Sequence, residues 1–360
     1  MRLEINSSAL KNNLYEYKRI FSDKKIAAVL KSNAYGHGLK EIGRILEKEN
    51  AADYFAVDSI VEAEILRHEG IKKPIMILGY IPRNILGKLR SLKNVIKLVN
   101  SQEEAKILRA KINFPLLIHL KVDTGMHRQG IVLTELEETI RILLKNKNIK
   151  IDGLATHLAD PSNRDQTDQQ LTKWDQAVEI FHKYFQKGDL HFSASGGIDY
   201  LNQAPCNCLR LGIGLYGFNV SENRQLALKP VLSFFAKIVN IKNIGRGEKV
   251  GYNFTYEAPR EIKIAILPCG YYEGVPLELS NQGIVYFKDH PLKIIGRVSM
   301  NLTTIDITDL DSSVSLEDEI EVISSNPERL NSVENIAKIC ETIPYEILIH
   351  LDKSLKRYVK

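Results

Sequence analysis

Between residues 26 and 217, short runs of aliphatic and β-branched residues alternate with segments whose apolar positions recur at helical spacing. That is the pattern of βα units, whose parallel strands are covered by the helices that connect them. The runs fall at 25–30, 54–58, 74–79, 95–100, 116–122, 151–157, 190–195 and 209–216. Amphipathic stretches at 59–70, 101–112 and 134–146 lie between them, and the second opens with Ser101 and Glu104 at capping-box spacing. Eight strands with helical crossovers predict an α/β fold, a closed TIM-like (β/α)8 barrel, with an open doubly wound sheet as the alternative.

After the polar turn SENRQ (221–225) the helical period fades. Alternating runs take its place at 231–241, 262–268, 283–287, 303–308 and 319–324, which predicts a mainly β second domain. One helix is expected near 332–341. The expected division is 1–223 for the barrel and 224–360 for the β domain, with the first residues able to pair with either.

Composition narrows the function classes. A chain of 360 residues has room for about two domains. Hydrophobic residues at 44% and charged residues at 26% are those of a folded globular protein. The net charge of +5 is scattered, so no nucleic-acid partner is expected. Residues 1–10 lack the apolar core of a secretory signal and no apolar run reaches membrane-span length, which predicts a cytoplasmic protein with no membrane partner. Cys206, Cys208, Cys269 and Cys340 are too few and too irregular for a disulfide framework or a zinc site.

Active sites of parallel barrels form from the loops after the strands, and polar residues collect there. Lys31 follows the apolar run 27–30, where burial would lower its pKa and make it an amine nucleophile. KVDTGMHRQG (121–130), THLAD (156–160), SASGG (193–197) and RLGIGLYG (210–217) end later strands. Serine and glycine after the last two suit an anion cradle, and hence a phosphorylated ligand. GIGLYG (212–217) satisfies the dinucleotide pattern in letters only, because it closes the last strand and lacks an acidic residue about 20 positions on. DTG (123–125) has no second carboxylate motif, so Asp123 reads as an orienting carboxylate. His119, His127 and His157 have no metal-ligand spacing, and no metal is expected.

AAVLKSNAYGHG (27–38) resembles the pyridoxal-phosphate attachment site of bacterial alanine racemases. LKVDTGMHRQG (120–130), ATH (155–157), RLGIGLYG (210–217), VGY (250–252), GRVSMN (296–301) and PYE (344–346) are similar to further blocks of that family, in its order. The resemblance covers nearly the whole chain.

It implies an isomerase that interconverts L- and D-alanine for peptidoglycan, with pyridoxal 5'-phosphate as cofactor and a small amino acid as substrate. Lys31 would carry the cofactor and act as base on one face of the substrate. Tyr252 would act on the other, since racemisation removes a proton from one side of Cα and returns it on the opposite side. His157 and Arg210 would stand behind the tyrosine, with Arg210 also facing the pyridine nitrogen and keeping it unprotonated. Tyr35, Ser195, Gly212, Ile213 and Tyr345 would hold the phosphate. Arg128, Met300 and Tyr271 would meet the substrate, and Lys121 is the candidate for carbamylation. The resemblance also implies a homodimer in which the partner supplies Tyr252, Tyr271 and Met300.

Four positions depart from the family pattern: Ala194 replaces asparagine, Asn301 replaces aspartate, GYYEGVPL (270–277) replaces GYADG, and Leu277 stands where an arginine follows that block. The loop after His157 is also short. These changes leave Lys31, Tyr252, Arg128 and Arg210 in place and bear on selectivity, so serine or a broader set of amino acids is the alternative substrate class. Competing readings are a decarboxylase of basic amino acids on the same fold, and a pyridoxal-phosphate homeostasis protein. The latter would end near residue 230.

Overall fold

The computed structural model describes residues 1–310 and 314–360. They form two compact units whose limits interleave along the chain. One contains Lys11–Ala34 and Ile42–Leu228, and the other contains Met1–Leu10, Tyr35–Glu41 and Lys229–Lys360.

The first unit is a nearly closed barrel. Eight parallel strands lie in the order Cys208–Leu211, Lys25–Val29, Tyr54–Val57, Ile75–Ile77, Val95–Val99, Leu116–Asp123, Ile149–Ala155 and Asp189–His191. Its two ends meet through single backbone bonds, Asn207 N to Leu190 O at 3.0 Å and Arg210 N to Ser193 O at 3.2 Å. Strands covered on both faces need apolar residues throughout, and Val95–Val99 is buried at every position. That includes Lys97. Its ammonium pairs with the buried carboxylate of Glu104 at 2.8 Å and donates to Gly79 O at 3.1 Å. Helix Arg164–His182 shows how the outer layer is held: Thr167, Leu171, Trp174, Val178 and Phe181, at steps of three and four, are buried.

Two strands end four or more residues earlier than the pattern predicts. The strand predicted at 190–195 stops at His191 and the one predicted at 209–216 stops at Leu211, and 3-10 turns follow from Ser195 and Ile213. In the second of these turns Gly214 lies against Tyr17, where an added Cβ would meet the phenolic oxygen at 2.1 Å. Steric need accounts for that glycine. At Ser101 only half of the expected capping box forms: its side chain accepts from Glu104 N, while Glu104 turns to Asn100 N at 2.7 Å and to Lys97. The reciprocal box occurs at Ser59 and Glu62.

The second unit is mainly β. A six-stranded sheet runs in the order His290–Lys293, Ile284–Phe287, Glu319–Ile323, Leu232–Lys237, Arg2–Ile5 and Arg357–Val359. A three-stranded sheet joins Asn240–Ile244, Ile262–Leu267 and Thr303–Asp306. The amino-terminal strand belongs here because Leu3 and Ile5, both fully buried, pair with Phe234 and Leu232. Residues 35–41 join the same unit: Arg357 donates from Nε and Nη2 to Gly36 O at 3.1 and 2.9 Å. Among the described residues no helix is long and apolar enough to cross a membrane.

Candidate active site

Lys31 opens a short turn of the wrong hand. Ser32, Asn33, Ala34 and Tyr35 all have φ between +52° and +56°. An L-residue at such angles costs about 1–2 kcal/mol, so four in a row persist only where the surroundings dictate them. Backbone bonds from Ala34 N to Leu30 O at 2.8 Å and from Leu30 N to Ala56 O at 2.8 Å fix the entry, and Glu62 accepts from Ser32 N at 2.7 Å. The strain sits directly after the residue expected to do covalent chemistry.

Within the barrel unit, four cations influence one region. Lys121 is brought down to about 8, first by burial and then by the charges of Arg210, Arg128 and Lys31. His157 is pushed down to about 3, again first by burial and then by Arg210, Arg128, Lys121 and Lys31. Asp123 offsets little of this. Its Oδ1 accepts the backbone N–H groups of Gly125 and His127, each at 3.0 Å, so it holds its own loop. The side chains of Lys31, Lys121 and Arg128 make no hydrogen bond or ion pair among the described residues. Such a cluster is complementary to an anionic ligand.

Arg210 is buried and its terminal nitrogens are fully used. Nη1 contacts His191 O at 2.6 Å and His191 Nδ1 at 2.5 Å, and Nη2 contacts Thr156 O at 2.8 Å and His157 Nδ1 at 3.2 Å. A guanidinium only donates, so both Nδ1 atoms accept and each imidazole carries its proton on Nε2. His191 Nε2 therefore donates to His119 Nδ1 at 2.9 Å. Arg210 Nε has no partner among the described residues, which leaves one donor for a ring nitrogen or another acceptor. Gln170 supports the loop of His157, donating to His157 O at 3.2 Å and accepting from Ala159 N at 2.8 Å.

The serine and glycine turns expected to cradle an anion lie in the same unit. The Ser195 hydroxyl, buried, accepts from Gly212 N at 3.1 Å and Gly214 N at 3.2 Å, tying together the two turns that follow the last strands. Ile213 begins the second turn and is buried. Ala194, at the cap of the first, offers no side-chain polar group.

In the β unit, the Tyr35 and Tyr345 rings are 5.8 Å apart, and burial raises both phenols, so they stay protonated as donors. Tyr252 follows Gly251, whose φ is +75°, and is 68% exposed. Tyr271 and Met300 are also exposed, at 47% and 54%, and their loops are stitched by Tyr271 N to Ser299 O at 3.1 Å and Tyr272 N to Met300 O at 2.9 Å. Asn301 donates to Glu273 Oε1 at 2.7 Å. The expected residues thus fall into two sets: Lys31, Lys121, Arg128, His157, Ser195, Arg210, Gly212 and Ile213 in the barrel, and Tyr35, Tyr252, Tyr271, Met300 and Tyr345 in the β unit.

Sequence reasoning missed His191, and weighed His119 only as a metal ligand. The signal for both was available in the pattern: each is a polar residue on a buried parallel strand, a position that requires a partner. Among the described residues no group of three or more His, Cys, Asp or Glu is arranged to hold a metal.

The buried histidines make stability depend on pH. His119 is brought down to about 4, mainly by burial, and His191 lies well below its ordinary range for the same reason. An unfolded chain would protonate these residues and His157 below about pH 6.5, while the folded chain keeps them neutral. Stability is fully present above that pH and falls as pH drops toward 4. The unfolding free energy from urea titrations should decline between pH 6.5 and 5, its slope growing from about one and a half protons toward about three; a flat profile would contradict burial of the neutral forms.

Comparison with known proteins gives the relationship. Residues 5–220 match the family model "Alanine racemase, N-terminal domain" and residues 231–359 match "Alanine racemase, C-terminal domain". Alanine racemase 2 of Caldanaerobacter subterraneus is 34% identical over 369 residues, spanning 99% of this chain and 94% of the relative. The crystal structure of alanine racemase from Bartonella henselae with covalently bound pyridoxal phosphate is 28% identical, with a TM-score of 0.86, over 100% of this chain and 99% of that one. A histidine racemase from Leuconostoc mesenteroides is 27% identical, with a TM-score of 0.89, over 100% and 97%. With both family models matched in order and a relative above 30% identity over almost the full length, the chain belongs to the alanine racemase family of isomerases.

Proposed function

We propose that this protein is a pyridoxal-phosphate-dependent racemase that interconverts L- and D-alanine, supplying D-alanine for peptidoglycan. The observation that carries the proposal is the cluster of Lys31, Lys121, Arg128 and Arg210 acting on one region of the barrel that also holds the Ser195 cradle. That set fits the cofactor. The unpartnered Arg210 Nε suits a ring nitrogen that accepts, the cradle suits a phosphate, and Lys31 is free to bond to an aldehyde carbon.

Bound there, pyridoxal phosphate supplies an electron sink that acidifies the Cα–H of an amino acid. The chain's residues provide the rest. Ser195, Gly212, Ile213, Tyr35 and Tyr345 hold the phosphate, while Arg128 and the Met300 backbone orient the substrate carboxylate. Lys31 moves the proton on one face of Cα, and Tyr252 of a second copy moves it on the other. His157 orients that tyrosine. Lys121, with its lowered pKa, is partly unprotonated at neutral pH and can add carbon dioxide, its nitrogen bonding to the carbon and losing a proton to solvent; the resulting carbamate would give Arg128 an anionic partner. The exposed side chains of Tyr252, Phe254, Tyr271, Tyr272 and Met300 support a homodimer, since aromatic residues and methionine are enriched at such interfaces.

Chiral chromatography of an amino-acid panel tests the proposal, with Lys31→Ala as control. D-alanine formed from L-alanine supports it; no enantiomer from any amino acid overturns it. Formation of D-serine or several D-amino acids would favour the broader substrate class, which Asn301 and Leu277 motivate. Tyr252→Phe is expected to suppress Cα proton exchange from one enantiomer by about 10²–10⁴-fold and from the other much less. Equal residual exchange from both enantiomers would contradict two bases.

A further inference from the structure

Glu273 is a buried carboxylate, 6% exposed, with no cationic partner among the described residues. Its needs are met by two neutral donors. Oε2 accepts the N–H of Gly270 at 2.8 Å, and Oε1 accepts the side-chain amide of Asn301 at 2.7 Å. The first bond ties Glu273 to its own turn and the second ties that turn to a separate loop.

The two loops are in close backbone contact. Tyr271 N and Tyr272 N donate to Ser299 O and Met300 O, and a Cβ added at Gly270 would meet those carbonyls at 2.0 and 2.6 Å. Only glycine fits there. Tyr271, Gly274, Val275 and Pro276 line a cavity of about 290 Å³ in the same unit. Glu273 belongs to the stretch of chain, Tyr271 to Pro276, that contributes to the wall of this cavity, and its partner Asn301 directly follows Met300.

We propose that Glu273 and Asn301 are positioning residues whose hydrogen bond locks the loops of Tyr271 and Met300 together and so fixes the rim through which the substrate is bound. The inference rests on the reading of Tyr271 and Met300 as substrate-binding residues. In this chain the lock uses the side-chain amide at position 301 as its donor. In this chain, where Glu273 has no cationic partner among the described residues, an aspartate at 301 would present a second acceptor-only group in place of the donor.

The test uses Asn301→Asp and the double variant Glu273→Gln with Asn301→Asp. In the double variant the bond is reversed: the amide now at position 273 donates to the carboxylate now at position 301, while its oxygen still accepts from Gly270. For the single variant we expect KM for the amino-acid substrate to rise about tenfold at pH 8 with kcat changed less than about threefold. Hydrogen exchange at the amides of Tyr271 and Tyr272 should accelerate in the single variant and return to wild-type protection in the double variant, together with KM. Unchanged exchange and KM in the single variant, or failure of the double variant to restore both, would overturn the proposal. If the wild-type protein racemises no amino acid, the functional reading fails by itself. Loss and recovery of amide protection would then still support the lock between the loops, and absence of that pattern would remove it.

Discussion

Replacing Lys31 by alanine is expected to lower kcat/KM for alanine racemisation by at least about 10⁴-fold, because the change removes a covalent anchor and a proton-transferring base together. The bonds from Gly212 and Gly214 to the Ser195 hydroxyl are untouched by the substitution, so on the proposed reading the variant should still bind the cofactor, though reversibly. Borohydride reduction followed by mass spectrometry separates the two roles. The wild-type peptide spanning 27–38 should gain the cofactor mass and the variant peptide should not. A variant that retained one-tenth of wild-type activity would remove Lys31 from the chemistry. The strained turn that follows this lysine makes a second point. Four residues at positive φ give the amine a fixed origin, and folding energy from the surrounding barrel must offset the cost.

Arg210→Gln carries the other large effect, on stability and activity at once. The arginine bonds to carbonyls of Thr156, His191 and Phe192 and to both neighbouring imidazoles, and glutamine is too short to satisfy them. Leaving these buried acceptors unpaired should cost about 3 kcal/mol, or roughly 6–12 °C in Tm for a unit of this size. Activity should fall by about 10²–10³-fold, the usual loss for a preorganised donor at a reacting group. The histidines provide an independent readout. Arg210 is the second-largest influence after burial holding His157 and His191 down, so its removal should raise both in an NMR titration. Histidines that did not move would show that the guanidinium does not set their charge state.

Much of this was readable in the chain, for identifiable reasons. Barrel strands such as Ile75–Ile77 are buried at every position, so an unbroken apolar run announces them. The candidate residues of the barrel stood out because polar residues follow or close such runs, as Lys31 and Ser195 do. What escaped depended on contacts distant in sequence. Nothing in SNAY signals a left-handed turn, since none of its residues is glycine and the conformation is imposed from outside. The placement of residues 35–41 with the β unit depends on Arg357, more than 300 positions away in the chain. Ser101 and Glu104 had capping-box spacing, yet the demand of a buried Lys97 took precedence over the local bond. Asn301 read as an isolated departure from the family pattern and acquires a reason only beside Glu273.

The central claim is that this chain moves a proton off and back onto Cα of alanine, and solvent isotope tests it directly. L-alanine incubated with cofactor-loaded protein in deuterium oxide should yield D-alanine carrying deuterium at Cα, as read by chiral separation with mass spectrometry. Absence of D-alanine, or D-alanine that keeps its original Cα hydrogen, would contradict the account.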